Sequence, residues 1–167
     1  MTLKAYTEGL RALLYYCAYA MDQAVTAYDH AAAQQWQEIV DLLIPIAKAH
    51  PTEKGVEMAA LGIQVHGGAG YTDAYPLEQY LRDSKVACIF EGTTAIQAMD
   101  FALRKVQMKG GAVFKNFLTR MDDVMNRAAT RTEWLPYVDQ LRMTRNALRK
   151  MPETLTAGPE DRRLRNQ

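Results

Sequence analysis

The sequence predicts an all-α protein, on three observations. The good helix formers Ala, Leu, Gln, Met and Arg are abundant. Apolar residues recur at three- and four-residue spacing over long stretches. No alternating β-branched run is long enough to read as a strand.

The elements follow in order. A first helix is expected from about Leu3 to Ala33, with Leu10, Leu13, Leu14, Cys17, Met21, Val25 and Tyr28 on one stripe. A second begins near Gln34 and carries Trp36, Ile39, Val40, Leu43, Ile44 and Ala47, with a kink at Pro45, which lacks a backbone donor. His50-Pro51-Thr52 reads as a break. Thr52 then caps a third helix with Glu53 in its first turn, where a carboxylate suits the helix dipole. That helix carries Val56, Met58, Ala59, Ala60, Ile63 and Val65 and stops at Gly67-Gly68-Ala69-Gly70. A loop follows to Pro76. Leu77 to about Ile89 is a short helix, interrupted at Phe90-Glu91-Gly92. Thr93 or Thr94 opens the next helix, which runs to about Lys109 with Ile96, Met99, Leu103 and Val106 at helical spacing. Two more are expected, Val113 to about Ala129 and Glu133 to Lys150. Pro152, Gly158 and Pro159 predict a poorly ordered tail over the last fifteen residues.

Length and charge bound the function classes. The chain has 167 residues, one domain or two small ones, and an apolar share of 49%, enough for a core and against disorder. The net charge of +1 supplies no strong field for nucleic acid or anionic membrane. It hides an asymmetry, however. Residues 1–111 hold nine basic and twelve acidic side chains, and residues 112–167 hold eleven and seven. A boundary is therefore expected at Gly110-Gly111. Cys17 and Cys88 lie in apolar runs without metal-ligand or disulfide spacing, so no metal is expected and a reducing, cytoplasmic compartment is. The start has no secretory-signal pattern, and no apolar run approaches the ~20 residues of a bilayer span.

Two stretches carry candidate chemistry. In Gln64-Val65-His66-Gly67-Gly68-Ala69-Gly70-Tyr71, a helix ends in two glycines, which permits positive φ and close approach by a ligand phosphate or another chain. An ordinary glycine C-cap reads the same way. In Ile89-Phe90-Glu91-Gly92-Thr93-Thr94, a single carboxylate sits in an apolar run before a helix break. Desolvation there would raise its pKa and make Glu91 a usable general base, whereas a capping glutamate fits the same residues.

The run from Gly62 to Val106 resembles the C-terminal α-helical domain of the acyl-CoA dehydrogenase family. The resemblance rests on submotifs in the family's order: Gln64-x-x-Gly67-Gly68-x-Gly70-Tyr71, Tyr75-Pro76, Arg82-Asp83 and Glu91-Gly92-Thr93. Residues 3–61 are similar to the preceding helices of that domain. The resemblance implies an up-and-down, four-helix-type bundle over residues 1–111. Residues 112–167 resemble the start of a C-terminal helical extension seen in a long-chain subgroup.

Members use FAD to convert an acyl-CoA to the 2-enoyl-CoA. The resemblance makes Glu91 the base that removes the α-proton and puts Gly92 against the thioester. It makes Thr93, with Thr94 beside it, a cofactor contact. Gln64, Val65, His66, Gly67 and Gly68 match a segment that touches the FAD of a neighbouring subunit. It further implies acyl-CoA as substrate, a homo-oligomer (dimer or tetramer), and an electron acceptor such as an electron-transfer flavoprotein. Neither a membrane nor nucleic acid is expected as a partner. Arg82-Asp83 reads as a structural intrachain ion pair.

Two departures stand out. Ala95 replaces a glutamine with which many relatives help to hold FAD; Thr94 would have to compensate. The family's N-terminal helical and middle β-domains have no counterpart in these residues, so the chain is expected to be a C-terminal fragment that by itself is inactive and does not retain FAD. The alternative is a non-catalytic interaction module of the same fold, binding nucleic acid through its basic end, where Arg142, Arg145, Arg149 and Lys150 form one face. His66 is read as helix-end packing, Cys88 as core, and Tyr15, Tyr16 and Tyr19 as packing at helix or subunit interfaces.

Overall fold

A computed structural model describes residues 1–90 and 92–156. It is all-α, with no strand among the described residues. Helix α1 spans Thr2–Thr26, α2 His30–His66, α3 Leu77–Ile89, α4 Thr94–Asp100, α5 Ala112–Ala128, α6 Leu135–Arg149 and α7 Met151–Thr156. By packing the chain divides into two units, Met1–Phe101 and a second that begins at Ala102. The change of charge at Gly110-Gly111 falls inside the second unit.

In the first unit α2 is the central element, and α1, α3 and α4 each pack on it. The contacts show that α1 and α2 run antiparallel: Lys54 of α2 lies over the Tyr6 ring, while Tyr19 meets Trp36 edge-on at 5.5 Å. The turn between them comes earlier than the sequence predicts, at Ala27–Asp29. Asp29 is the reason. Its carboxylate accepts from the backbone N–H groups of Ala31 and Ala32, both at 3.2 Å, and so caps α2. The stripe on α1 is also rotated from the expected one. Its fully buried residue is Ala20, whereas Met21, Val25 and Tyr28 are exposed. A one-residue shift turns a helix by about 100°, and the small Ala20 side chain suits close helix approach.

The predicted break at Pro51 does not occur. A single helix of 37 residues runs through both Pro45 and Pro51. Thr52 is not a cap: its hydroxyl donates to the carbonyls of Lys48 and Ala49, both at 3.0 Å, in the turn that Pro51 weakens. The core of this unit is Ala20, Ile39, Val40, Leu42, Leu43, Pro45 and Cys88.

The helix expected from Thr93 to Lys109 is shorter. It ends at Asp100 and continues as a wide turn over Phe101–Lys105 and a tight one over Met108–Gly111. In the second unit α5 packs on α6, with Val106, Val113, Phe114, Leu118, Met125 and Val138 buried. The expected disordered tail is helical through Thr156 as α7; the remainder of that expectation, residues 157–167, lies outside the described residues. By length and composition Leu77–Lys105 is apolar enough to cross a membrane, which the run-length reading missed. The stretch is divided between α3, of 13 residues, and α4, of 7, each far short of a span.

Candidate active site

The turn between α3 and α4 carries one set of candidate residues. At Phe90 the backbone leaves the helix, with φ −102° and ψ 144°. Glu91 lies outside the described residues. Gly92 has φ +93°, a conformation that favours glycine, and a Cβ there would lie 2.5 Å from the side-chain nitrogen of Gln97. Thr93 is the N-cap of α4, its hydroxyl oxygen accepting from the N–H of Ile96 at 3.4 Å. Thr94 turns the other way. Its hydroxyl donates to Glu53 of α2 at 2.5 Å. That hydrogen bond holds the Glu53 carboxyl below its ordinary pKa; the Lys85 charge and the Cys88 thiol act in the same sense, and partial desolvation opposes them.

Glu53 and Gln97 are the residues that sequence reading missed here. Glu53 reads in sequence as a first-turn carboxylate, a role that vanishes once α2 is continuous. With Thr94 and Gln97 it lines an open groove of about 290 Å³ whose apolar wall includes Pro45, Ile46 and Phe101.

The second set lies at the far end of α2. Gln64, Val65, His66, Gly67 and Gly68 are all exposed. Gly67 caps the helix at φ 61°, its N–H donating to the Gln64 carbonyl. Nothing lies within 4 Å of a Cβ built on Gly67 or Gly68, so the backbone there is open to close approach. His66 does what helix-end packing requires: Nδ1 hydrogen-bonds the Gly62 carbonyl at 3.0 Å, and the ring packs on Tyr75. Gly70, by contrast, is buried. The two sets are not brought together within the chain. Glu53 precedes His66 by thirteen residues on α2, about 20 Å along a helix axis.

Arg82 does not pair with its neighbour Asp83. It bonds Glu78 one turn back at 2.7 Å, because adjacent helix residues point apart whereas i and i+4 share a face. Of the basic residues on α6, Arg145 is ion-paired with Asp122 and Arg142 with Asp139, so that face is in part neutralised.

The family model of the acyl-CoA dehydrogenase C-terminal domain matches residues 1–106. The chain belongs to the acyl-CoA dehydrogenase family. Among its curated relatives within the family, a broad-specificity linear acyl-CoA dehydrogenase, FadE5 of Mycobacterium tuberculosis, is 38% identical over 130 residues, 77% of this chain and 21% of that protein. A 3-methylmercaptopropionyl-CoA dehydrogenase of Ruegeria pomeroyi is 39% identical over 117 residues, 70% of this chain and 20% of that protein. A butyryl-CoA dehydrogenase of Syntrophomonas wolfei is 34% identical over 127 residues, 76% of this chain and 21% of its own length. The chain thus spans about a fifth of the acyl-CoA dehydrogenases it matches. Among solved structures, the apo form of Bd2924 shares the fold, with a TM-score of 0.59 and 20% identity over 91% of this chain and 32% of that one.

Proposed function

We propose that this domain supplies the catalytic base and part of the cofactor site of a FAD-dependent acyl-CoA dehydrogenase. The observation that supports it best is the match over residues 1–106, with Glu91-Gly92-Thr93 intact at the turn between α3 and α4.

The residues present fit such a cofactor. Gly67 and Gly68 form an exposed backbone edge with room where a Cβ would otherwise stand, and the Thr93 hydroxyl, which accepts from Ile96, keeps its own proton to donate. Gln64–Gly68 of one subunit and Thr93 of another would hold the FAD, which requires a homo-oligomer. Bound FAD supplies the oxidation by accepting hydride from the β-carbon.

The rest falls to this chain. The Glu91 carboxylate takes the α-proton of the acyl-CoA: the C–H bond breaks, an O–H bond forms, and the electron pair enters the new Cα–Cβ double bond. Gly92, without a side chain, lets the thioester approach the backbone. The same reading implies an electron acceptor such as an electron-transfer flavoprotein and a cytoplasmic location.

Glu91→Gln in the full-length enzyme tests this reading. It keeps shape and removes the base. Acyl-CoA and FAD should still bind, while flavin reduction by substrate slows by on the order of 10²-fold or more. Reduction at close to the normal rate would place the base elsewhere.

A further inference from the structure

The turn between α3 and α4 is flanked by exposed apolar residues. On either side of it Val86, Ile89, Phe90, Ile96 and Met99 are all more than half exposed. In the last turn of α3 only Cys88 reaches the core, so apolar packing at these two helix ends is sparse.

Two polar tethers from α2 cross to them instead. The Lys48 ammonium donates to the Ala87 carbonyl at 2.7 Å. That carbonyl is in the last turn of α3, where carbonyls have no helical partner and a cation is favoured. The neighbouring Val86 carbonyl is already taken by the N–H of Phe90. Five positions further along α2, Glu53 accepts from the Thr94 hydroxyl at the first residue of α4. The same carboxylate faces the Lys85 charge and the Cys88 thiol, both on α3. Hydrogen bonds with one charged partner are about twice as strong as neutral ones, and both bonds here are part-buried.

We propose that Lys48 and Glu53 are positioning residues: Lys48 holds the end of α3, Glu53 holds the start of α4, and together they set the gap across which Glu91 and Gly92 are presented. The effect on rate rests on Glu91 being the base, as proposed above. A displacement of about 1 Å at a reacting group costs up to about 10²-fold in rate, so loss of either tether is expressed in the chemical step more than in binding.

The test uses the full-length enzyme with Glu53→Ala, Thr94→Val, the double variant, Thr94→Ser and Lys48→Met. Each of Glu53→Ala, Thr94→Val and Lys48→Met should slow flavin reduction at saturating acyl-CoA by about 10-fold to 10²-fold, with FAD content and KM near normal in Glu53→Ala and Lys48→Met. The Glu53→Ala, Thr94→Val double variant should be no slower than the worse single one, because both remove the same bond. Thr94→Ser, which keeps the hydroxyl, should restore the rate. Thr94→Val is nearly isosteric and keeps the test usable where Glu53→Ala does not fold. Multiplying losses in the double variant, or unchanged rates in all three single variants, overturn the proposal. Amide hydrogen exchange separates this failure from failure of the base assignment. If Glu91→Gln reduces flavin normally, faster exchange over residues 86–97 in Glu53→Ala still establishes the tether, and unchanged exchange sinks it.

Discussion

A Cβ built on Gly70 would stand 2.7 Å from the Cβ of His66 and 2.8 Å from the carbonyl oxygen of Ile63. Neither neighbour is the loose end of a side chain, so the helix end itself would have to shift. Gly68, two residues earlier, has nothing within 4 Å and no positive φ. The same motif thus contains one glycine required by packing and one that is open. Gly70→Ala is expected to destabilise the domain by about 1–3 kcal/mol, as overpacking does. Gly68→Ala should stay within about 0.5 kcal/mol, like other surface substitutions. Thermal unfolding of the two variants checks both. Equal losses would mean that the crowding around Gly70 relaxes at little cost.

Helix α2 decides most of what was and was not legible. The end of α2 at His66, the bounds of α3 and the start of α4 follow from glycine stops, the apolar run and a threonine cap, all local signals. The start of α2 was missed because Ala31–Ala33 are strong helix formers that hide the Asp29 cap within a helical composition. Its continuity was missed because proline is read as a breaker, while here the helix runs on past both prolines, with the Thr52 hydroxyl donating to the Lys48 and Ala49 carbonyls next to Pro51. That error concealed Glu53, since a residue assigned to a first turn is not sought as a link to α4. The glycine-rich end of α2 and the interruption between α3 and α4 are legible in the sequence; the bond from Thr94 to Glu53 spans 41 positions and leaves no local trace. The same bond predicts an acid response. The folded Glu53 carboxyl lies below its ordinary pKa, so the unfolded chain binds the proton more readily. Its stabilising contribution is fully present above the unfolded value of about 4.3 and is lost as pH falls through the lower folded value. The gap in thermal midpoint between the parent chain and Glu53→Gln should therefore narrow steadily below about pH 4.3. The other titratable groups that face this carboxyl are His50 on the groove wall and Lys85 on α3. A gap that is constant from neutral pH to pH 3 would mean that the hydrogen bond does not favour the ionised form.

At the scale of the whole molecule, the described surface keeps much apolar area in water. On α1 Leu14, Tyr15, Tyr19, Met21 and Val25 are exposed, Val25 at 86%, and Tyr28 in the following turn is fully so. On α3 and α4 the same holds for Tyr80, Ile89, Phe90, Ile96 and Met99, and on α6 for Tyr137, Leu141 and Met143. Singly exposed apolar residues are normal, but long rows of them on successive helix turns mark surfaces that meet another chain or domain. The relatives are about five times longer than the residues that match, so in a protein of that length other domains have material to cover such rows. In the isolated 167-residue chain they have only one another. Each 100 Å² of apolar surface removed from water contributes about 2.5 kcal/mol before association costs of at least ~4 kcal/mol, so pairing even one such row is favourable at moderate concentration. The isolated chain should therefore self-associate, as a dimer by the two-fold rule that governs most small homo-oligomers. Light scattering coupled to size exclusion at high micromolar concentration reads this directly. A mass of 18.8 kDa there, that of one chain, would mean that the exposed rows are too dispersed to form an interface.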